Sequence, residues 1–390
     1  MIHFIFRLVQ VIAACGAVCS SLYYFLCLWS ASNFLREREA DKSARPTSDL
    51  PPVSILKPLK GTDPGIYRSF RSHCLQDYPE YEIIFGVSEA DDPAVASVRQ
   101  LQSEFPALSI RLIVCHRTHS ANVKVSNLAQ MLAEARCQHL LVNDSDIRVE
   151  PDYLRRVMLP LANPKIGMVT CLYRGIAEAT LGSRIEALGI STDFCAGVLA
   201  ARQLESGIRF ALGSTMAFRR ADLEKIGGFE SFADYLADDF ELGKRIADLG
   251  LEVNLSGVVV ETNLPAYTLR QFFSHQLRWA RGVRDSRAGG YFGLALTFGF
   301  LWSCLVVFAS GGALWAWALA ATTLFLRLSV ALQVGKGVLF DHHVFRQLWL
   351  LPLRDLIAVG VWMASLAGHT VTWRGDRFQL KNGKLIRIDA

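Results

Sequence analysis

Long apolar runs near both ends of the chain limit its possible folds more than any other feature of the sequence. The first run, residues 8–29, is long enough to cross a bilayer, for which about 20 residues are needed. Two further runs, at 291–310 and 313–332, have the same character. A hydrophobic fraction of 51% agrees with such segments, because it exceeds that of ordinary soluble chains. The sequence therefore predicts membrane-spanning helices near both ends.

The first apolar run has two interpretations, a retained anchor and a cleavable signal peptide. Its small residues around Gly16 are compatible with a signal peptide. The anchor is favoured, because Tyr23, Tyr24 and Trp29 lie toward the far end of the run and basic residues follow it. These basic residues place the following segment in the cytoplasm.

The last apolar run, at 348–371, is harder to interpret because it contains Pro352, Arg354 and Asp355. It could span the bilayer, enter it part way or lie in the interface. Three spans after a cytoplasmic domain would leave the C-terminal tail outside, whereas the basic residues of 374–390 favour the cytoplasm. A re-entrant or interfacial last segment would remove this conflict.

Between residues 53 and 260, short apolar runs alternate with amphipathic helical patterns. Strands are predicted at 53–56, 81–87, 110–115, 139–142, 166–172 and 251–260. Helices are predicted at 64–74, 93–105, 125–135, 152–161 and 235–249. This rhythm predicts an α/β fold with a mainly parallel sheet and helices on both faces. In such sheets ligands bind at the carboxyl ends of the strands.

Acidic residues follow two of the predicted strands. Asp92 comes after the strand at 81–87, and Asp144 and Asp146 come after the strand at 139–142. Carboxylates at positions i and i+2 can converge on Mg²⁺ or Mn²⁺, which prefer oxygen ligands and commonly bridge to substrate phosphates. Turn formation and helix capping are the other common uses of Asp, and the D-x-D pattern alone leaves both interpretations open.

Other polar residues that could belong to the same site lie near predicted strands or in predicted helices. Lys57 follows the first strand and can present a cation to a diphosphate, and Lys124 lies shortly before the strand at 139–142. Asp238 and Asp239 lie in the helical pattern at 235–249, where helix N-terminal charge is the alternative use. The segment 270–287 is amphipathic and rich in Arg and aromatic residues, which predicts a position at the membrane surface.

Composition and missing motifs exclude several classes of protein. The formal charge of +5 is too modest for a nucleic-acid groove. The nine cysteines include no C-x-x-C pair, which argues against a zinc site and a disulfide framework and fits a reducing compartment. Neither a P-loop nor a G-x-G-x-x-G motif occurs, so the nucleotide-binding motifs typical of ATPases and dinucleotide oxidoreductases are absent from the sequence.

Several sequence blocks together resemble the ceramide glucosyltransferase-like family of inverting, GT-A-type glycosyltransferases that act on lipids. The matching blocks follow the family order and lie at residues 53–61, 77–79, 91–93, 144–149, 227–229, 238–240 and 278–279. Within the family, residues 124–127, residues 169–175 and the His-x-x-Arg-Trp ending at 275–279 resemble the bacterial hopanoid-biosynthesis branch. That branch is thought to add N-acetylglucosamine to bacteriohopanetetrol.

The resemblance implies a role for each matching residue. Asp239 is expected to be the general base, and Asp144 the ligand of metal and diphosphate, with Asp146 completing the metal motif. Donor binding is expected of Lys57, Asp92, Lys124, Asp144, His275, Arg278 and Trp279. Two departures weaken the match: His275 replaces the Gln or Arg of the family motif, and Asp146 is not a fixed feature of the ceramide branch.

The same resemblance implies a domain plan. It comprises a membrane anchor at 1–35, a linker at 36–52, a GT-A domain at 53–265, an interfacial segment at 266–290, a membrane region at 291–373 and a basic tail at 374–390. The expected location is a membrane, as a multi-pass protein of the bacterial inner membrane with a cytoplasmic catalytic domain.

The expected reaction moves a sugar from UDP-N-acetylglucosamine or UDP-glucose to the primary hydroxyl of a lipid in the bilayer. Bacteriohopanetetrol is the main expectation for the acceptor, ceramide is the alternative, Mg²⁺ or Mn²⁺ is the expected cofactor, and no nucleic acid is involved. A processive polysaccharide synthase fits less well, because the spans are few and the full Q-x-x-R-W motif is absent. A non-catalytic transport or lipid-binding protein would need polar sites within the membrane, for which Arg327, Arg354 and Asp355 are the candidates.

Overall fold

A computed structural model describes residues 2–42, 50–116, 120–373 and 376–388. They form two compact units, each built from discontinuous segments. The helical unit comprises Met1–Arg36, Ala179–Gln203 and Ala266–Asn382, and the sheet unit comprises Glu37–Glu178, Leu204–Pro265 and Gly383–Ala390. Ala179–Gln203 thus belongs to the helical unit, although the sequence offers no sign that this segment leaves the central domain. The domain boundaries derived from the sequence remain predictions.

The sheet unit is organised around one eight-stranded sheet. Its strands are β1 Val53–Pro58, β2 Tyr81–Val87, β3 Ser109–Val114, β4 His139–Val142, β5 Ile147–Arg148, β6 Ile166–Ile176, β7 Met216–Arg219 and β8 Glu252–Asn263. The strand order is β3-β2-β1-β4-β7-β6-β8-β5. The pairs β3–β2, β2–β1, β1–β4 and β6–β8 are parallel, whereas β7 is antiparallel to both of its neighbours and β5 is antiparallel to β8. The predicted α/β class with a mainly parallel sheet is confirmed.

The neighbouring parallel strands β1 and β2 are buried on both faces. Every residue of β1 is buried, and so are six of the seven residues of β2. Such burial is expected of parallel strands covered by helices, and it explains why these strands read as continuous apolar runs. The covering helices of the unit are Ile66–Cys74, Ala94–Glu104, Val123–Glu134, Tyr153–Met158, Arg220–Lys225 and Asp238–Asp248.

The helical unit contains three helices that are long and apolar enough to cross a membrane: His3–Ala40, Leu314–Val338 and His343–Leu366. The first of them belongs to a continuous helix, Ile2–Lys42, which runs through the first residues of the predicted linker. Residues 43–49 of that linker lie outside the described residues. The other helices of the unit are Leu181–Gly189, Cys195–Leu204, Leu269–Ser286, Ala288–Gly293 and Gly299–Ala309, and Ile190–Phe194 forms a π-helical turn.

The span predicted at 291–310 coincides with a pair of helices, Ala288–Thr297 and Gly299–Ala309, bent by 48°. Tyr24 of the N-terminal helix accounts for the break. Its hydroxyl donates to the carbonyl of Thr297 (3.0 Å) and accepts from the amide of Gly299 (3.3 Å). The backbone groups released by the bend therefore have a partner inside the helical unit, which a bend in an apolar environment requires. The pair could form one broken span or a re-entrant loop.

The C-terminal residues form strands as well as a basic tail. Strands β9, Thr370–Trp373, and β10, Asp376–Lys381, pair antiparallel in the helical unit, and β11, Lys384–Arg387, belongs to the sheet unit. Residues 374–375 and 389–390 of the predicted tail lie outside the described residues.

Arg327 is the centre of a buried charge network in the helical unit. Only 3% of this residue is exposed. Its guanidinium donates two hydrogen bonds to Asp355 (2.8 and 3.1 Å), one to Asp193 (2.7 Å) and one to the carbonyl of Thr192 (3.1 Å). Arg354 lies 3.1 Å from the second oxygen of Asp193. Two cations therefore neutralise two carboxylates. Of the residues considered as an intramembrane transport site, Arg327 and Asp355 pair with each other and Arg354 pairs with Asp193.

We expect replacement of Arg327 by Met to destabilise the protein by about 3–5 kcal/mol, because it leaves two partly buried carboxylates without their main partner. The measurement is thermal unfolding of the detergent-purified protein, followed by fluorescence-detected size exclusion. Arg346→Met is the matched control, because Arg346 is exposed. Equal melting temperatures for the two variants would contradict a structural role for the network.

Candidate active site

Lys124 is the centre of the charged cluster at the strand ends of the sheet unit. Its ammonium lies 2.8 Å from Asp144 Oδ1 and 2.9 Å from Asp238 Oδ2, with only 11% of the side chain exposed. Burial opposes the charge of Lys124, but the charges of Asp144 and Asp238 prevail and raise its pKa above the ordinary value. One buried cation thus joins the first turn of helix Val123–Glu134, the loop after β4 and the start of helix Asp238–Asp248.

Two predicted site carboxylates meet over the backbone of Gly213. The amide of Gly213 donates to Asp239 Oδ2 (2.9 Å), and its carbonyl accepts from the amide of Asp144 (3.3 Å). A Cβ atom at Gly213 would lie 2.8 Å from Asp144 Oδ2 and 3.4 Å from Asp239 Oδ2. A residue with a side chain at this position would therefore displace the carboxylate of Asp144 and would be in van der Waals contact with that of Asp239. Sequence reasoning missed Gly213, although the Gly-Ser-Thr break at 213–215 just before β7 was visible.

Asp239 has the environment of a general base. Burial raises its pKa to about 6, assisted by the neighbouring charge of Asp238. The amide of Phe240 donates to its Oδ1 (2.8 Å), and Gly213 holds its other oxygen. A carboxylate with a pKa near neutral pH can accept a proton from a hydroxyl more readily than an ordinary Asp.

Asp146 lies next to this group but is held by β8. The hydroxyl of Thr262 donates to Asp146 Oδ2, and the hydroxyl of Ser69 donates to the carbonyl of Asp146 (3.2 Å). Burial raises the pKa of Asp146 to about 7, and the charge of Asp144 adds to the effect. One of its carboxylate oxygens is therefore already engaged within the protein.

Lys57 lies beneath the loop that carries Asp144. It has no exposed surface, and its ammonium donates to the carbonyl oxygen of Asp144 (3.0 Å). Burial lowers its pKa to about 7. This placement favours support of the Asp144 loop over the predicted direct contact with a diphosphate.

Asp92 connects the ends of two strands. Its carboxylate oxygens accept from the amide of Gly61 (3.0 and 3.1 Å), and one of them also accepts from the amide of Ala94 (2.9 Å). Gly61 has a φ of +70°, which favours glycine in this turn after β1. Asp92 thus shapes the loops where a nucleotide is expected to bind, and its own contact with the nucleotide remains a prediction.

The remaining predicted donor-binding residues, His275, Arg278 and Trp279, lie on helix Leu269–Ser286 of the helical unit. The structure brings His275 and Trp279 together, with ring centroids 5.6 Å apart. His275 Nδ1 lies 2.9 Å from Glu186 Oε1, an ion-pair distance, although the ring is not aligned for a hydrogen bond. Glu186 is only 4% exposed and was missed in the sequence, because nothing local marks it as a partner of His275.

The resemblance described above predicts a divalent cation at this site. No group of three or more His, Cys, Asp and Glu side chains able to hold a metal occurs among the described residues. Around Lys57 and Lys124, however, the cluster contains four carboxylates, Asp144, Asp146, Asp238 and Asp239, so negative charge is in excess. Mg²⁺ commonly binds through one or two carboxylates together with substrate phosphates. Asp144 fits such a ligand best, because 41% of its side chain is exposed.

Comparison with known proteins identifies the family. The family model described as glycosyl transferase family 21 matches residues 12–386. The chain belongs to glycosyl transferase family 21. This family 21 glycosyltransferase is 25% identical to ceramide glucosyltransferase 1 of Caenorhabditis elegans over 358 residues, which cover 88% of this chain and 74% of that protein. Ceramide glucosyltransferase 3 of the same organism is 25% identical over 350 residues, with 86% and 74% covered.

A bacterial relative and a solved structure are also similar to the chain. The probable glycosyltransferase YdaM of Bacillus subtilis is 27% identical over 252 residues, which cover 63% of this chain and 58% of that protein. The mannosyltransferase PcManGT of Pyrobaculum calidifontis, solved with GDP-mannose and Mn²⁺, superimposes with a TM-score of 0.53 at 21% identity and covers 92% of this chain and 99% of that chain. The shared fold confirms the expected GT-A architecture. The expected membership of the hopanoid branch finds no support in these relatives, which favour the ceramide alternative.

We expect Gly213→Ala to reduce turnover of the family 21 enzyme by about 100-fold, because displacing a reacting group by an ångström can have an effect of that size. The added methyl group would push against Asp144 and would touch Asp239. The measurement is the steady-state release of the nucleotide product. Gly289→Ala is the matched control, because a Cβ at Gly289 meets no atom within 4 Å. Unchanged turnover in Gly213→Ala would contradict a functional role for the close approach of the Asp144 and Asp239 carboxylates to Gly213.

Proposed function

We propose that this family 21 glycosyltransferase moves a hexose from a UDP-sugar to the primary hydroxyl of a membrane lipid, with inversion at the anomeric carbon. The observation that carries the proposal is the arrangement of Lys124, Asp144 and Asp239 around Gly213 at the strand ends. It combines a carboxylate suited to bind a metal–diphosphate group, Asp144, with a second carboxylate suited to accept a proton, Asp239.

The ceramide type is the favoured acceptor and UDP-glucose the favoured donor, because the two relatives that cover most of the chain are ceramide glucosyltransferases. A hopanoid polyol with UDP-N-acetylglucosamine is the second candidate. It is favoured by the resemblance of residues 124–127 and 169–175 to the hopanoid branch. Both acceptors offer a primary hydroxyl on an apolar body.

In the proposed reaction, Asp144 and the donor diphosphate would hold Mg²⁺ or Mn²⁺, which when bound would neutralise the charge that develops on the UDP leaving group. Lys124 fixes Asp144 through its ion pair, and Lys57 supports the same loop from below. Asp239 accepts the proton of the lipid hydroxyl as the hydroxyl oxygen attacks the anomeric carbon. A single displacement converts an α-linked donor into a β-linked product.

Access to a lipid acceptor follows from the apolar helices of the helical unit. Three of them are long and apolar enough to cross a bilayer, and the amphipathic helix Leu269–Ser286 carries the His275 and Trp279 pair. We place the sheet unit in the cytoplasm, because basic residues follow the first apolar run. UDP-sugars would reach the site from that side.

The function is tested by release of UDP from the purified enzyme in detergent–lipid micelles. UDP-glucose and UDP-N-acetylglucosamine are each combined with ceramide or bacteriohopanetetrol, with Mn²⁺ or with EDTA, and mass spectrometry identifies the lipid product. GDP-mannose is the donor control, and phosphatidylcholine, which lacks a hydroxyl, is the acceptor control. We expect one sugar per ceramide, formed only with the metal. Product on the hopanoid alone would select the second candidate, and no UDP release with any lipid would contradict an enzymatic function.

Replacement of Asp239 by Asn should reduce turnover by about 10²–10⁴-fold, the usual contribution of a general base, while the UDP-sugar still binds. Binding is measured by equilibrium dialysis with a radiolabelled donor, and turnover by UDP release. Asp248→Asn is the control on the same helix, where Asp248 makes an exposed pair with Arg209. Full turnover of Asp239→Asn would exclude Asp239 as the base.

A further inference from the structure

The C-terminal strand β11 pairs with the loop that precedes the Asp238–Asp239 pair. The amide of Leu236 donates to the carbonyl of Gly383 (3.0 Å), and the amide of Leu385 donates to the carbonyl of Asp234 (2.7 Å). Between these bonds Tyr235 and Lys384 lie directly opposite each other in an antiparallel bridge. Both segments belong to the sheet unit.

Side chains strengthen this pairing. The Lys384 ammonium lies 5.4 Å from the centre of the Tyr235 ring, and the Arg245 guanidinium carbon lies 5.8 Å from it. Cations at such distances are attracted to the electron-rich face of an aromatic ring. Arg245 lies on helix Asp238–Asp248, so the ring of Tyr235 also contacts the helix that follows the loop.

The loop is held by Asn122 as well. The Asn122 side-chain amide donates to the carbonyl of Tyr235 (2.8 Å), and its backbone amide donates to the carbonyl of Ala233 (3.0 Å). Asn122 also caps helix Val123–Glu134 by accepting from the amide of Val125 (3.3 Å). The loop at 233–236 is therefore tied both to the helix that carries Lys124 and to the C-terminal strand.

Only Ala237 separates this loop from Asp238. Asp238 then pairs with Lys124, and Asp239 accepts from Gly213. A shift of the loop would consequently move both carboxylates relative to partners that belong to other parts of the fold. The two hydrogen bonds to β11 restrict the loop at Asp234 and Leu236, shortly before Asp238 in the chain.

We propose that residues Gly383–Leu385 are a positioning element for Asp238 and Asp239, and that Tyr235 and Lys384 form its central contact. The inference rests on the proposed function of Asp239 as a base. The strand touches no reacting atom, and its effect is to keep the loop at 233–236 in the geometry that turnover needs. Loss of the strand should lower kcat while the enzyme stays folded.

The test is a reversible cross-link made by the double variant Tyr235→Cys, Lys384→Cys. Opposed residues flanked by two hydrogen bonds have Cα atoms about 4.5 Å apart, within the range of about 4.4–6.8 Å that a disulfide needs. The reduced form has lost the ring–ammonium contact, whereas the oxidised form has a covalent link in its place. The parent enzyme and each single variant, treated in the same way, control for the native cysteines, of which Cys15 and Cys304 are exposed.

We expect kcat of the reduced double variant to be about tenfold below that of the parent, since sub-ångström displacement of reacting groups has effects of this order. Oxidation should restore kcat to within about twofold of the parent and should leave KM for the UDP-sugar unchanged. Equal rates for the two redox states, or full activity in the reduced state, would overturn the proposal. Failure of the cysteines to cross-link would do the same.

A second pair of measurements keeps the inference testable if the double variant folds poorly. Lys384→Met changes one exposed side chain, and we expect a several-fold loss of kcat with an unchanged melting temperature. Hydrogen exchange of a peptide covering residues 233–240 should be faster in Lys384→Met than in the parent, and this readout needs no turnover. Accelerated exchange in an enzyme that transfers no sugar would reject the proposed function alone, whereas unchanged exchange would reject the positioning role alone.

Discussion

The ion pairs of the Lys124 ammonium are the interaction on which the site depends. Asp144 and Asp238 come from elements nearly a hundred residues apart, and without a cation between them their like charges would oppose the approach of the two elements. A lysine in the first turn of a helix supplies the cation from a third element. The two ion pairs also order the residues next to these carboxylates. Gly213 contacts Asp144 through its carbonyl, and its amide contacts Asp239, the neighbour of Asp238.

The contrast between the two units shows what is particular about this cluster. In the helical unit, Arg327 and Arg354 are matched by Asp193 and Asp355, so the charges of that network are satisfied within the protein. In the sheet unit the carboxylates outnumber the ammonium groups. Burial raises the pKa values of Asp146 and Asp239, and the neighbouring carboxylates Asp144 and Asp238 add to the effect. A network with matched charges stabilises the fold by itself, whereas a cluster with excess carboxylates can bind an external cation.

Local sequence pattern predicted much of the sheet but only part of the site. The strands β1, β2 and β4 were recognisable because parallel strands buried on both faces are continuous apolar runs, and Asp144 could be placed at the end of one of them. Strand β7 was missed, and Gly213 with it, because four residues paired antiparallel to distant strands leave no local periodicity.

Burial and long-range pairing were also out of reach of the sequence. Lys57 is predicted from the sequence to bind the donor, and only the tertiary structure shows that its side chain is covered and bonded to a carbonyl. The pairing of β11 had one readable signal, the Asn-Gly dipeptide at 382–383, whose φ values of +52° and +78° are those of a tight hairpin turn. Nothing in the local sequence indicates which segment β11 pairs with, because strand pairing depends on the assembled fold.

The position of β11 decides a point of membrane topology that charge counting left in conflict. Gly383 and Leu385 are hydrogen-bonded to Leu236 and Asp234, so the chain must leave and return on one side of the bilayer between residues 265 and 383. An even number of crossings is the only arrangement that allows this. Of the three apolar elements in that stretch, the bent helix pair and the two later helices, at least one therefore does not cross, and the basic C-terminal residues share a compartment with the carboxylates of the site.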